Sequence, residues 1–142
     1  MEQQEYWQKL KDFLNQNDLF CAGNKMQITQ ISDGSAEGEM IVEKQHCNGL
    51  GTVQGGALFT LADFVCAAAI NSYGNQAVSM SASVSFIRPG VNMKKITAKA
   101  TLVNKGRQTA IFDVDVFGDN GKILLHTVMT GFLTDRLMCD LF

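Results

Sequence analysis

Apolar side chains recur along this chain with two periods, and one stretch has no period at all. In residues 3–20, Tyr6, Trp7, Leu10, Phe13 and Leu14 fall at i, i+3, i+4 and i+7 spacing, which predicts a surface helix with one docking stripe. Met26–Ser32 and Ala36–Glu43 read as two strands separated by a turn at Asp33–Gly34–Ser35. From Ala77 onward the period is two. Val78, Met80, Ala82, Val84 and Phe86 alternate with Ser79, Ser81, Ser83 and Ser85, which predicts one apolar and one hydroxyl face, and Pro89–Gly90 ends the run. Ile96, Ala98, Ala100 and Leu102 alternate with Thr97, Lys99 and Thr101. Thr109–Phe117 directs Ala110, Phe112, Val114 and Val116 to a core and Asp113 and Asp115 to solvent. Asn104–Lys105–Gly106–Arg107 and Asp119–Asn120–Gly121 make tight hairpins, and Lys122–Leu133 is the last strand.

The stretch without a period is Ala57–Ile70, apolar except for Thr60 and Asp63. Ala and Leu with no internal Gly or Pro predict a helix, and a helix that is apolar all round is a buried one. It is too short to span a bilayer, which takes about 20 apolar residues. A polar, glycine-rich loop (Asn48, Gly49, Gly51, Gln54, Gly55, Gly56) leads into it, and Gly74 can cap its end. Such a helix cannot lie on one sheet with its back in water. A meander of the four long strands must wrap it, or a second copy of the chain must cover it. The expected architecture is α+β, a curved antiparallel sheet around a central buried helix. It forms one domain over residues 1–142, with an N-terminal helix over about 3–20 and the core over about 26–134, and dimerises.

The balance of 12 basic and 14 acidic residues, a net charge of −2, and the lack of like-charge blocks argue against a nucleic-acid partner or a polybasic membrane anchor. The opening MEQQEYWQKL has no signal-peptide pattern. Cys21, Cys47, Cys66 and Cys139 are scattered, with no C-x-x-C pair and no His at ligand spacing, so reduced thiols in a cytoplasmic protein, and no metal, are expected.

Asp63 is where chemistry is expected. A carboxylate inside an apolar helix must be paired, neutralised or used, and no Lys or Arg lies between His46 and Arg88 to pair with it. The bland alternative is a carboxylate satisfied by a buried hydrogen bond or facing a wet interface. Gly55 and Gly56 would form the first helical turn, where the leading N–H groups have no intrahelical partner. There the helix dipole favours a developing oxyanion, although Gly-Gly before a helix also occurs for packing alone. Gly55 and Asp63 are eight residues apart, about 12 Å along a helix. Both cannot reach one carbonyl group from the same copy. If both act, each comes from a different subunit of a two-fold dimer.

The run H-x-N-x-x-G-x-x-Q-G-G-x-x-x-x-L-x-D, from His46 to Asp63, resembles the signature of hotdog-fold acyl-CoA thioesterases of the PaaI (phenylacetate-pathway) type. The likeness extends over roughly Gln27–Leu133. It implies hydrolysis of an acyl-CoA thioester by homodimers that commonly pair into tetramers, with no cofactor beyond the coenzyme A of the substrate. By this resemblance Asp63 matches the catalytic nucleophile or general base, and Gly55 the N–H that polarises the thioester carbonyl. Asn48 matches a residue that orients the water or the carboxylate across subunits, and Ser79 an assisting hydroxyl. Gly56 belongs to the same loop, and the turns Arg88–Pro89–Gly90 and Lys105–Gly106–Arg107 match regions that contact coenzyme A, where cations suit its phosphates. Many relatives carry His where this chain has Gln54, which can make the same hydrogen bonds but cannot take a charge.

His46 stands eight residues upstream of Gln54 and is not expected to replace that His, and His126 is expected to be structural. The serines of the Ser79 strand read as close packing or a wet surface, with no G-x-S-x-G nucleophile among them. Lys105 and Arg107 read equally well as solvated turn charges. The competing functions are a non-catalytic acyl-CoA binding or sensing module on the same fold, and a hydratase or dehydratase. The last would want a His–carboxylate pair.

Overall fold

A computed structural model describes residues 1–142. In chain order the elements are α1 (Gln3–Asn17), α2 (Leu19–Gly23), β1 (Met26–Ser32), β2 (Ser35–Ile41), α3 (Gly55–Asn71), β3 (Asn75–Phe86), β4 (Lys95–Lys105), β5 (Thr109–Phe117) and β6 (Ile123–Leu137). Short 3-10 turns precede α3 and close the chain. All six strands form one antiparallel sheet in the order β1-β2-β4-β5-β6-β3. The sheet curves around α3, which touches every strand. The core is the helix-facing side of that wrap, with Leu61, Ala62, Val65, Ala68 and Ala69 of α3 set against Met40, Ile96, Ala100, Phe112, Val114 and Met129.

Three sequence expectations change. The N-terminal helix breaks at Asp18, whose side chain accepts from the Cys21 N–H at 3.0 Å and starts α2 as a separate short helix. An Asp takes the N-cap of a new helix more readily than the interior of an old one.

The four-strand meander is a three-strand one. β3 does not pair with β4 but crosses to the far edge and pairs with β6. The connection Ile87–Lys94 holds Pro89 and Gly90 and forms no tight hairpin. Its Gly90 carbonyl accepts instead from the Val53 N–H at 3.0 Å.

The third change concerns the faces of β3. Ser79 pairs with Gly131 but Ser81 pairs with Thr130, so one extra residue, Met80, bulges out. A bulge of one residue inverts the alternation on either side of it. Ala77 and Ser79 before the bulge therefore share the helix-facing side with Ala82, Val84 and Phe86 after it. Ser81, Ser83 and Ser85 join Val78 on the outer side. Directly across from Ser79, Gly131 leaves room for α3, since a Cβ there would run into Ile70.

α1 lies against β1 and clasps the end of α3. Tyr6 Oη donates to the Asn71 carbonyl at 2.6 Å and Trp7 Nε1 to the Ser72 carbonyl at 3.2 Å, satisfying carbonyls that a helix C-terminus leaves unpaired. No helix is long and apolar enough to cross a membrane.

Candidate active site

The loop before α3 is built by its own side chains. Asn48 Oδ1 accepts from the Leu50 N–H at 3.0 Å, the Thr52 N–H at 3.2 Å and the Thr52 hydroxyl at 3.2 Å. Gly51 completes the turn at φ +80°, a conformation open to glycine at little cost. With its carbonyl oxygen so occupied, Asn48 keeps only its amide N–H groups for anything outside the loop.

The returning strand of the loop brings Gln54 onto His46, whose carbonyl accepts from the Gln54 N–H at 2.8 Å. Eight residues of separation in sequence thus collapse to one hydrogen bond. The His46 ring is buried, and its Nδ1 accepts from the Glu43 N–H at 2.9 Å. In the neutral ring that leaves the proton on Nε2, and Nε2 has no protein partner.

Gln54 is the N-cap of α3, and Gly55 and Gly56 are its first two residues. Neither glycine N–H donates to a protein acceptor, so the first turn presents two free donors together with the positive end of the helix dipole. Phe86 of β3 packs at Gly55, where a Cβ would meet its ring at 3.0 Å. The Arg88–Pro89–Gly90 turn lies at this same end, bonded to Val53 through Gly90. Arg88 donates to the Ile123 carbonyl.

Two turns further along α3, Asp63 accepts from the Ser79 hydroxyl at 2.8 Å. The bulge at Met80 makes this contact, because it turns Ser79 toward the helix. Asp63 is not in the deep core expected for a helix buried all round. Phe59, Thr60, Asp63 and Ala67 form a partly covered stripe along α3 that continues from the exposed Gly56, since one sheet wraps only part of the helix circumference. No cation of the chain pairs with Asp63. The neighbouring thiol is a poor nucleophile: burial pushes Cys66 up to about 12, and the charge of Asp63 adds to the effect. No three His, Cys, Asp or Glu side chains cluster so as to hold a metal ion.

The chain brings together Asn48, Gln54, Gly55, Gly56 and Arg88–Gly90 at one end of α3, and Asp63 with Ser79 near its middle. It does not bring in the second cationic turn. Lys105 Nζ sits 4.9 Å above the Tyr73 ring, just past the C-terminus of α3. Gly106 donates its N–H to the Thr109 carbonyl at 2.8 Å, and Arg107 is exposed. The 17 residues of α3 place this turn about 25 Å from the Gly55 end.

Sequence reasoning missed Phe20 of α2 and Asn24 just after it, which stand beside the first turns of α3. The N-cap preference of Asp18 was the available signal. His126, expected to be structural, sits on the outer face with its Nδ1 2.7 Å from Asp115.

A glycine-started helix with a mid-helix carboxylate, wrapped by one curved antiparallel sheet, is the arrangement of a hotdog-fold thioesterase, and comparison with known proteins agrees. The Thioesterase superfamily model matches residues 50–124. The acyl-coenzyme A thioesterase PaaI of Escherichia coli is 34% identical over 107 residues, 75% of this chain and 76% of the relative. A putative esterase of Archaeoglobus fulgidus is 31% identical over 117 residues, 82% and 76% of the two chains. The solved E. coli PaaI structure superposes with a TM-score of 0.88 at 27% identity, covering 92% of this chain and 95% of that one. The chain belongs to the thioesterase superfamily, and within it to the PaaI type of thioester hydrolase.

Proposed function

We propose that the protein hydrolyses acyl-CoA thioesters to the free acid and coenzyme A as a homodimer. Each of its two sites combines Gly55 and Asn48 of one copy with Asp63 and Ser79 of the other. One observation carries this reading: the free Gly55 N–H and the Asp63 carboxylate belong to one rigid helix, yet stand about 12 Å apart on it. The names of the relatives support the substrate. One is the E. coli acyl-coenzyme A thioesterase. Another is a Streptococcus pneumoniae structure described as a hypothetical thioesterase with coenzyme A, TM-score 0.77 at 26% identity, covering 87% of this chain and 98% of that one.

β3 supports the dimer. It is an edge strand of 12 residues, with Val78 and Met80 more than half exposed at 58% and 59%. Gly55 sits at Phe86 and Asp63 at Ser79. If β3 pairs antiparallel with its copy about a two-fold axis at Ala82–Ser83, midway between those residues, the Asp63 of one copy comes to the Gly55 of the other. The same axis carries each Arg88 turn toward the opposite copy's Lys105–Gly106–Arg107 turn. Cations from both copies then flank one coenzyme A.

In such a site the thioester carbonyl oxygen accepts from the Gly55 N–H. Charge builds on that oxygen as the carbonyl carbon becomes tetrahedral, and the helix terminus stabilises it. Asp63 either attacks the carbon or takes the proton of an attacking water. The Ser79 hydroxyl holds one carboxylate oxygen and leaves the other to react. Collapse of the intermediate breaks the C–S bond and releases the thiolate of coenzyme A. On the route of direct attack, water then hydrolyses the acyl–Asp63 anhydride to the free acid and restores the carboxylate. The Asn48 amide is free to orient the water, and Gln54 shapes the loop without taking a charge.

The test is thiol release from aryl, short, medium and long acyl-CoAs by wild type and Asp63→Asn. Turnover should fall by about 10³-fold or more in the variant while the dimer persists. Binding of the panel with no turnover above the variant would instead leave a non-catalytic acyl-CoA binding protein.

A further inference from the structure

Beside the first turns of α3 lies a cavity of ≈160 Å³, lined by Phe20, Met26, His46, Gln54, Gly56 and Thr60 among others. Larger cavities of ≈310 Å³ beside α1 and ≈460 Å³ over β1 and β2 share no residue with α3. This one begins at Gly56, next to the free Gly55 N–H. On the β3 side of Gly55, the exposed Phe86 ring packs at the glycine and the Arg88–Pro89–Gly90 turn, bonded to Val53, supplies positive charge.

A thioester seated with its carbonyl oxygen on Gly55 has two directions to extend. The phosphates of coenzyme A suit the cationic flank. That leaves the acyl group to the cavity.

We propose that this cavity is the acyl pocket and that Phe20 sets the longest acyl chain the enzyme accepts. The inference rests on the thioesterase reading and adds its substrate class. A cavity of about 150 Å³ holds one benzene molecule, so the space takes roughly six carbons beyond the carbonyl. The end wall is α2. Cys21 of α2 is buried in the core at 4% exposure, and Asp18 caps the helix. Phe20 points away from that anchor, 68% exposed, and the backbone carbonyl of Phe20 is held by Asn24 Nδ2 at 2.8 Å. A longer chain must displace the Phe20 ring or stay in water. Because the core lies on the Cys21 side, the ring can be changed without removing a buried contact.

The experiment measures kcat/KM for straight-chain acyl-CoAs of about two to sixteen carbons with wild type, Phe20→Ala and Phe20→Trp. Wild type should be best near six to eight carbons and at least about tenfold poorer at twelve. Phe20→Ala should move the optimum outward by about two carbons or more, and Phe20→Trp should move it inward. Opposite shifts in the two variants would not arise from a general loosening of the fold. Thiol release with three superimposable chain-length profiles overturns the pocket and leaves the thioesterase reading standing. Thiol release from no straight chain overturns the pocket, and the thioesterase reading falls with it only when the aryl acyl-CoAs release no thiol either.

Discussion

At one edge of the sheet, β1 is sealed by its own chain. Asn15 of α1 donates from Nδ2 to the Ile28 carbonyl at 3.0 Å, and its Oδ1 accepts from the Ile28 N–H at 2.7 Å. One side chain thereby occupies both backbone groups that the β1 bulge at Ile28–Gln30 turns outward. At the other edge, β3 is longer, carries exposed Val78 and Met80, and has no element of the chain beside it. Unprotected edge strands invite pairing with another chain, and proteins usually blunt them. This chain seals one edge with a dedicated helix and leaves the more apolar edge bare, open to the second copy proposed above. Ser79 and the Asp63 it touches lie just inside the bare edge, so the proposed dimer would tie pairing to catalysis.

The largest effect tests that tie directly. Gly55→Pro removes the N–H while keeping a residue suited to the first position of a helix. The proline Cβ meets the exposed Phe86 ring at 3.0 Å, so that ring must give by a few tenths of an ångström. Gln54 at φ −57° and ψ 132° already has the backbone that precedes a proline. Alone, Gly55→Pro should lower kcat by about 10²- to 10³-fold, and Asp63→Asn should be at least as damaging. Mixed after unfolding, half the dimers contain one of each, and each of these regains one intact site. Activity should return to about a quarter of wild type. No recovery would mean that both groups serve one site from the same copy.

Next in size is a block of the open edge. Ser83→Lys, at an exposed position, places two like charges side by side at the two-fold axis, and like charges juxtaposed at an interface cost several kcal/mol. Sedimentation should show monomers at concentrations where wild type is dimeric, with a folded circular dichroism spectrum and little thiol release. A monomer with full activity would break the comparison.

At the sealed edge the effect should be smaller and of a different kind. Asn15→Ala leaves the Ile28 N–H and carbonyl without their partner, at a cost of about 1–3 kcal/mol. Urea unfolding should show that loss, and kcat per dimer should not change.

How much of this was legible beforehand differs between the two edges. α3 and β4–β6 were readable because their periods and turn residues are local properties of the sequence. β3 was readable as a strand, but its faces were not. The inversion at Met80 depends on how β6 pairs with it, and nothing in an unbroken Val/Ser alternation marks where the extra residue goes. The composition of the strand therefore placed Ser79 with the other serines, and only the family resemblance singled it out. The joining of His46 to Gln54 was hidden for a similar reason. It is set by a loop that Asn48 closes, not by any spacing along a helix. α1 was readable as amphipathic, yet its function as a seal depends on a single Asn on its flank.

The smallest effect concerns the groups that the sealed side keeps from water. Burial pushes Cys21 up from 9.0 to about 12, with the charge of Asp18 adding to it, and burial raises Cys66 in the same way. In the unfolded chain both thiols ionise near their ordinary value, and in the folded chain they do not. The folded state therefore holds more protons between about pH 9 and 12, and stability must fall as pH rises through that window. Urea midpoints should stay level up to about pH 8 on this account and decline above 9. In Cys21→Ala/Cys66→Ala the decline should be shallower. At pH 8 iodoacetamide should label the exposed Cys139 well before either buried thiol. Asn15→Ala should speed labelling of Cys21, which packs behind the seal, and leave Cys66 nearly unchanged. Equal acceleration at both would mean that the seal and the core of α3 open together, and that the sealed edge is no separate unit of stability.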